Sequence, residues 1–177
     1  SVTALLKSIL EENNKRVGVF TSPHIYDITE RFYADGKLID KKELENILID
    51  LKKKVDEYQN EHPYHFITFF EYMTMAAFIW FDKLNLDYII LEVGMGGLYD
   101  ATNLIETSFG AITSIALEHT SYLGDTIEKI AFQKAGIIKQ NQTMVIGFMD
   151  YNAKNVIRSQ CELKNAKYID VFEGQNY

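Results

Sequence analysis

The sequence predicts an α/β fold, a mostly parallel sheet flanked by helices on both faces. Three observations carry that reading. Short apolar, β-branched runs alternate along the chain with segments of helical period. Residues with chemistry follow successive runs, at the strand ends where open α/β sheets gather ligands. The length of 177 residues, with 47% hydrophobic and 24% charged content, is one domain's worth and enough for a buried core.

Ser1 to Leu10 reads as a helix with Leu5, Leu6, Ile9 and Leu10 on one face. Residues 16–20 form a short strand, Val17-Gly18-Val19-Phe20, that stops at Thr21-Ser22-Pro23-His24 because proline cannot donate to a ladder. A hydroxyl and an imidazole at a strand's carboxyl end can address a metal or a phosphate; an ordinary loop is the plainer alternative. Residues 25–39 make a loop or hairpin around Asp35-Gly36, a good turn dipeptide. Asp40-Lys41-Lys42-Glu43 has the spacing of a capping box and opens a helix. Leu44, Ile47, Leu48, Leu51, Val55 and Tyr58 follow at helical spacing until Pro63 breaks the pattern. The run Lys52 to Lys54 is a solvated face, and His62 and His65 lack partners at metal-site spacing.

Thr68-Phe69-Phe70-Glu71 is a second capping box, which occupies Thr68 and Glu71 structurally. The segment behind it, Tyr72 to Leu84, is apolar on nearly all sides and therefore a buried helix. By composition Phe69 and Phe70 are core residues, although an aromatic at a helix N-terminus can also stack on a flat heterocycle. Tyr88 to Leu91 reads as a buried strand closed by Glu92, with Gly94, Gly96 and Gly97 just beyond. A carboxylate followed by backbone that can approach closely suits a hydrated divalent cation and a phosphorylated substrate. A simple strand-end carboxylate with a glycine turn fits the spacing as well.

Phe109 to Ala116 is another expected buried strand, ending at Leu117-Glu118-His119-Thr120. Asp125 is expected to cap a helix from Thr126, with Ile127, Ile130 and Ala131 inward and Gly136 ending it after Lys134. Met144 to Phe148 reads as a strand, Asp150 as the cap of a helix burying Val156 and Ile157, and Lys167 to Phe172 as the last strand.

Composition narrows the function. A net charge of −7 argues against non-specific binding to nucleic acid or acidic membranes. No apolar run reaches the roughly 18 residues of a membrane span, and no signal-peptide pattern is visible. The single cysteine, Cys161, excludes an internal disulfide and fits a reducing cytoplasm.

The stretch from Leu91 to Asn103, LEVGMGGLYDATN, resembles the LEVGxGGRxDATN signature of the folylpolyglutamate synthase/dihydrofolate synthase family. These are ATP-dependent ligases related to the Mur peptide ligases. Thr21-Ser22-Pro23-His24, Thr29-Glu30-Arg31, Thr113-Ser114-Ile115 with Glu118-His119-Thr120, and Lys134-Ala135-Gly136-Ile137 match further motifs in the same order. Leu98 departs from the usual Arg, and Glu118 from the usual Asp.

The resemblance implies a P-loop fold of the Mur-ligase central-domain type. It implies that residues 1–177 are a partial, N-terminally truncated ATP-binding domain, with the phosphate loop upstream and a C-terminal glutamate-binding domain absent. Such a chain is not expected to ligate glutamate alone. In the implied reaction ATP phosphorylates a folate or dihydropteroate carboxylate, and the amine of L-glutamate then displaces phosphate. Ser1, the last hydroxyl of the phosphate loop, would serve ATP. Ser1, Ser22, Glu92 and His119 would be ligands of Mg2+, direct or through water. Arg31, Thr68, Phe69, Phe70, Glu71, Tyr99, Asp100 and Ala101 would line the pterin site. Lys134 matches a lysine that the family carbamylates, and with His119 it would be catalytic. The resemblance also implies a cytoplasmic protein, monomeric when complete. Another Mur-type amide ligase, or a non-catalytic nucleotide-binding relic, are the competing classes.

Overall fold

The computed structural model describes residues 2–173; Ser1 lies outside them. Contacts divide the chain into two compact units, Ser1–Gly94 and Met95–Tyr177.

In the first unit the order is α1 (Val2–Glu12), β1 (Val17–Phe20), a 3₁₀ turn (Ile28–Arg31), β2 (Phe32–Ala34), β3 (Lys37–Leu38), α2 (Lys41–Glu61), α3 (Phe69–Asp82) and β4 (Tyr88–Leu91). The sheet runs β3-β2-β1-β4. β1 and β4 are parallel, with Phe20 opposite Leu91, while β2 and β3 add an antiparallel hairpin. That hairpin turns at Asp35 and Gly36, both at positive φ (51° and 88°), the geometry an Asp-Gly pair tolerates. The connection from the hairpin to the parallel strand β4 is made by α2 and α3. Asp40 caps α2 by accepting from the Lys42 and Glu43 N–H groups.

The core of this unit is aromatic: Phe20, Phe32, Trp80 and Phe81 pack with Leu44, Ile47 and Leu51 of α2. A β-carbon on Gly18 would strike the Leu86 and Phe81 side chains, so glycine lets α3 settle on β1. Trp80 is 2% exposed. Trp80→Ala is expected to cost about 3–5 kcal/mol of stability, read as a fall in the urea midpoint without loss of cooperativity.

Two apolar segments stand exposed. α1 buries no residue, and Leu5 is 67% and Ile9 60% exposed. Its polar side is tied down instead: the Tyr33 hydroxyl donates to Glu11 Oε1 at 2.5 Å and Lys7 Nζ lies 4.0 Å from the Tyr33 ring centre. Burial, helped by Glu11, pushes the Tyr33 hydroxyl up to about 12. β4, expected to be buried, has Tyr88 and Ile89 43% and 45% exposed. It is one of the two edge strands of its sheet among the described residues, so one flank lacks a neighbour.

The second unit holds a 3₁₀ turn (Ala101–Leu104), β5 (Phe109–Ile112), α4 (Thr120–Leu123), α5 (Ile127–Ala135), β6 (Thr143–Ile146), α6 (Tyr151–Leu163) and β7 (Lys167–Asp170). β5-β6-β7 are all parallel. Ile112, Ile130, Met144, Ile146, Ile157 and Cys161 form the core. Burial raises the Cys161 thiol, which is packing and not a nucleophile. Phe109, expected inside, is 70% exposed at the edge strand. The cap of α5 is Thr126, whose side chain accepts from Lys129 N; Asp125 pairs with the Lys129 ammonium at 2.7 Å instead. The one-turn helix α4 has too few residues to show a period. Among the described residues no helix is long and apolar enough to cross a membrane.

Candidate active site

β1 and β4 are parallel and in register, so their carboxyl ends deliver Ser22 and Glu92 side by side. The Glu92 N–H donates to Phe20 O at 2.9 Å, extending the ladder by one residue. The Ser22 N–H donates to Glu92 Oε2 at 3.0 Å. The Ser22–Pro23 peptide is cis. A half-buried carboxylate beside a hydroxyl at parallel strand ends makes a set of hard oxygen donors.

Past Pro23 the chain wraps around Glu30. The N–H groups of Ile25, Tyr26 and Asp27 donate to its carboxylate at 2.8, 3.0 and 2.9 Å. These bonds, that of Ile25 foremost, hold the Glu30 carboxyl below its usual range. Asp27 caps the 3₁₀ turn through Thr29 and ion-pairs with Lys41. Arg31 is 7% exposed, and burial lowers its pKa. Its Nε donates to His24 Nδ1 at 2.9 Å, and its guanidinium carbon lies 5.4 Å from the Phe69 ring centre. Because Nδ1 accepts, the ring proton of the neutral imidazole sits on Nε2. Among the described residues Arg31 forms no ion pair with a carboxylate.

The two phenylalanines expected in the core have separated. Phe69 is 56% exposed, available for stacking. Phe70 packs on Phe20 with centroids 5.9 Å apart, and its ring fills the space a β-carbon on Gly94 would need. Thr68 and Glu71 form the reciprocal capping box: Thr68 N and Oγ1 donate to Glu71 Oε2 at 2.7 and 2.6 Å, and Glu71 N donates back to Thr68 Oγ1 at 3.2 Å. A cavity of about 460 Å³ lined by Ile28, Leu44, Leu48 and Tyr72 includes neither Ser22 nor Glu92 and is no part of this site.

In the second unit the signature loop is organised by its own polar residues. Asp100 accepts from the Thr102 N–H and hydroxyl (3.0 and 2.6 Å) and from the Met95 N–H (3.0 Å). Tyr99 is 88% exposed, and Ala101 opens the 3₁₀ turn. Asn103 Nδ2 donates to Leu98 O and Gly136 O at 3.1 and 3.0 Å, clamping the loop to the end of α5. Gly136 has an ordinary right-handed φ of −59°, so it is not there to end the helix by a left-handed turn. A β-carbon at Gly136 would collide with the Leu98 backbone, and that close approach is what requires glycine.

Lys134, in the last turn of α5, pairs with Glu118 Oε1 at 2.8 Å. That contact holds the Glu118 carboxyl below its usual range. His119 is exposed and left-handed, φ 48°, just before α4, and makes no side-chain cap bond. Backbone in this region is uncommon for a non-glycine residue, and such residues concentrate at functional sites.

Thus Ser22, Glu92, Arg31, Phe69 and Phe70 lie in the first unit, and Tyr99, Asp100, Ala101, His119 and Lys134 in the second. Among the described residues no cluster of three or more His, Cys, Asp or Glu could hold a metal by itself. Sequence reasoning quoted Glu30 within the Thr29-Glu30-Arg31 motif but gave it no role, although the Asp27-x-x-Glu30 spacing is that of a capping box and both halves of one form. It missed the Glu118–Lys134 pair, sixteen positions apart, for which no local signal exists.

Residues 1–175 match the Mur ligase middle domain. The chain is 38% identical over 169 residues to the dihydrofolate synthase/folylpolyglutamate synthase of Bacillus subtilis, covering 95% of this chain and 39% of the relative. An FPGS–AMPPCP–folate complex superposes with a TM-score of 0.89 at 30% identity, over 95% of this chain and 41% of the other. Escherichia coli FolC in complex with DHPP and ADP superposes with a TM-score of 0.82 at 32% identity, over 95% and 38%. The chain therefore spans about two fifths of the length of these relatives.

Proposed function

Because the chain belongs to the Mur ligase middle-domain family, we propose that it is the ATP-binding part of a ligase joining L-glutamate to folate or dihydropteroate. The observation that carries this reading is the Ser22–Glu92 pair, joined by a 3.0 Å hydrogen bond at the carboxyl ends of two parallel strands. The names of the relatives, and the folate, DHPP and nucleotides in their complexes, support the substrate class.

The reaction has two steps. A pteroyl or folyl carboxylate oxygen attacks the γ-phosphorus of ATP, forming an acyl phosphate and releasing ADP. The amine of glutamate then attacks the acyl carbon, loses a proton and expels phosphate. Charge builds on phosphoryl oxygens, so what the site must supply is fixed positive charge and orientation. Magnesium fits the donors present: the Glu92 carboxylate and Ser22 hydroxyl are hard oxygens, and such a cation keeps most of its waters. When bound it neutralises phosphoryl charge. Ser1 belongs to the proposed set but lies outside the described residues. His119, a softer nitrogen donor, would act through water or at a second cation.

The proposed pteroyl contacts are Arg31, Phe69 and Phe70 in the first unit and, in the second, the exposed Tyr99 with Asp100 and Ala101. Thr68 and Glu71 belong to the proposed set by fixing the start of α3, which carries Phe69 and Phe70. The buried free thiol Cys161 supports a reducing cytoplasm, and a monomer when complete is part of the same proposal. The test uses the complete protein. Phosphate release is expected only when ATP, glutamate and a pteroyl acid are all present, with product one glutamyl residue heavier by mass spectrometry. ATP turnover indifferent to glutamate, or turnover only on a sugar-peptide acceptor, refutes the reading.

A further inference from the structure

We propose that Glu30 is a positioning residue for pteroyl recognition, holding residues 25–27, next to His24, so that His24 and Arg31 stand as one hydrogen-bonded pair beside the Phe69 ring. The inference rests on the ligase reading above and adds residues, Glu30 and His24, which that reading leaves without a role.

Three features meet here. First, one carboxylate gathers three consecutive N–H groups, those of Ile25, Tyr26 and Asp27, within 3.0 Å. That arrangement pins the loop immediately after His24 even though Ile25 and Tyr26 are 79% and 93% exposed and draw nothing from the core. Second, Arg31 is buried without a carboxylate ion pair among the described residues, and its Nε is committed to His24 Nδ1. A buried guanidinium with donors to spare favours an oxygen acceptor. Third, the Phe69 ring is exposed and lies under the same guanidinium. Together they offer donors from Arg31 and from His24 Nε2 next to an aromatic face. The matching ligand is a flat heteroaromatic carrying a carbonyl or carboxylate oxygen, as a pteroyl group does.

The hydrogen bonds dictate which variant tests this. Glu30 Oε1 accepts from Tyr26 and Asp27, and Oε2 accepts from Ile25. In Glu30→Gln the amide oxygen can keep the first two, but its NH₂ then faces the Ile25 N–H, donor against donor. The loop should loosen at the residue adjoining His24, with the shape of the side chain preserved.

In the complete protein, Glu30→Gln is expected to raise KM for the pteroyl substrate about tenfold, the equivalent of one hydrogen bond to a charged group. KM for ATP should stay within about twofold, since Glu30 touches nothing at the strand ends. In a His24→Ala background the same substitution should add little, because the group it positions is gone. An unchanged pteroyl KM, a parallel rise in both KM values, or full additivity in the double variant overturns the inference and leaves the ligase reading standing. A wild-type protein without glutamate ligation takes down both. If Glu30→Gln does not fold, amide exchange in the unsubstituted protein decides: protection of Ile25, Tyr26 and Asp27 before substrate is added supports the proposal, and free exchange of these amides overturns it.

Discussion

Glu92→Gln in the complete protein should lower ligase turnover by about 10²–10³, the scale seen when one charge-stabilising group is lost from a preorganised site. The amide oxygen can still accept the Ser22 N–H that Glu92 Oε2 accepts at 3.0 Å, and the backbone bond from Glu92 N to Phe20 O is untouched. Folding should therefore hold while the negative charge goes. Part of the activity should return as magnesium is raised, because a weakened cation site is filled by mass action. Turnover at several magnesium concentrations, with a thermal melt of the same sample, reads both. A lower melting temperature without any response to magnesium would make Glu92 a strand-end structural residue. For His119 the matching substitution is Asn: at φ 48°, Asn keeps the left-handed backbone that alanine would strain. A smaller loss, also eased by magnesium, is expected there.

Lys134→Ala is expected to cost activity about a hundredfold with melting unchanged, as losses of groups that support a metal site do. The underlying idea is a carbamate, in which the neutral amine adds to carbon dioxide and a proton leaves, turning an ammonium into an anion that can face a cation. The structure sets a condition on it. Lys134 Nζ pairs with Glu118 at 2.8 Å, and a carbamate would be repelled by that carboxylate. The Glu118 side chain is 48% exposed, so the pair is screened and worth about 0–1 kcal/mol, too little to forbid the exchange. Acetate or formate should partly restore Lys134→Ala. Mass spectrometry of the intact protein in bicarbonate, without acid, should show added carbon dioxide on Lys134. An unmodified amine in the active, magnesium- and ATP-bound protein would refute the carbamate. A lysine that merely complements the end of α5 would contribute about 0.3–1 kcal/mol and leave catalysis nearly intact.

Much of the fold was legible in the residues. Alternating short apolar runs and helical periods located every strand except the second and third, which were read only as a hairpin at Asp35-Gly36. The Thr68-x-x-Glu71 spacing placed the start of α3 to the residue. Errors arose where a local pattern had two solutions. Asp125 and Thr126 are both good caps, and Thr126 took the position while Asp125 turned to Lys129. Tyr88-Ile89 and Phe109 are apolar enough for a core, yet they sit on edge strands, and strand order is not a property of the strand itself. For the site, spacing identified a carboxylate at a strand end and a hydroxyl at another. That these strands are neighbours, in register and parallel, came from tertiary structure.

The sequence by itself determined what is governed by nearest neighbours along the chain: the caps, the Asp35-Gly36 turn, the helical periods and the order of the motifs. Tertiary structure alone decided which side chains meet. It separated Phe69, exposed under Arg31, from Phe70, packed beneath Gly94. It required glycine at 136 because the Leu98 backbone lies against it, a contact no dihedral preference foretells. It brought Glu118 to Lys134, and it committed the Arg31 Nε donor to His24. Backbone propensity acts over a few residues, whereas an ion pair or a close approach depends on how separate elements pack, and that is encoded only in the whole chain.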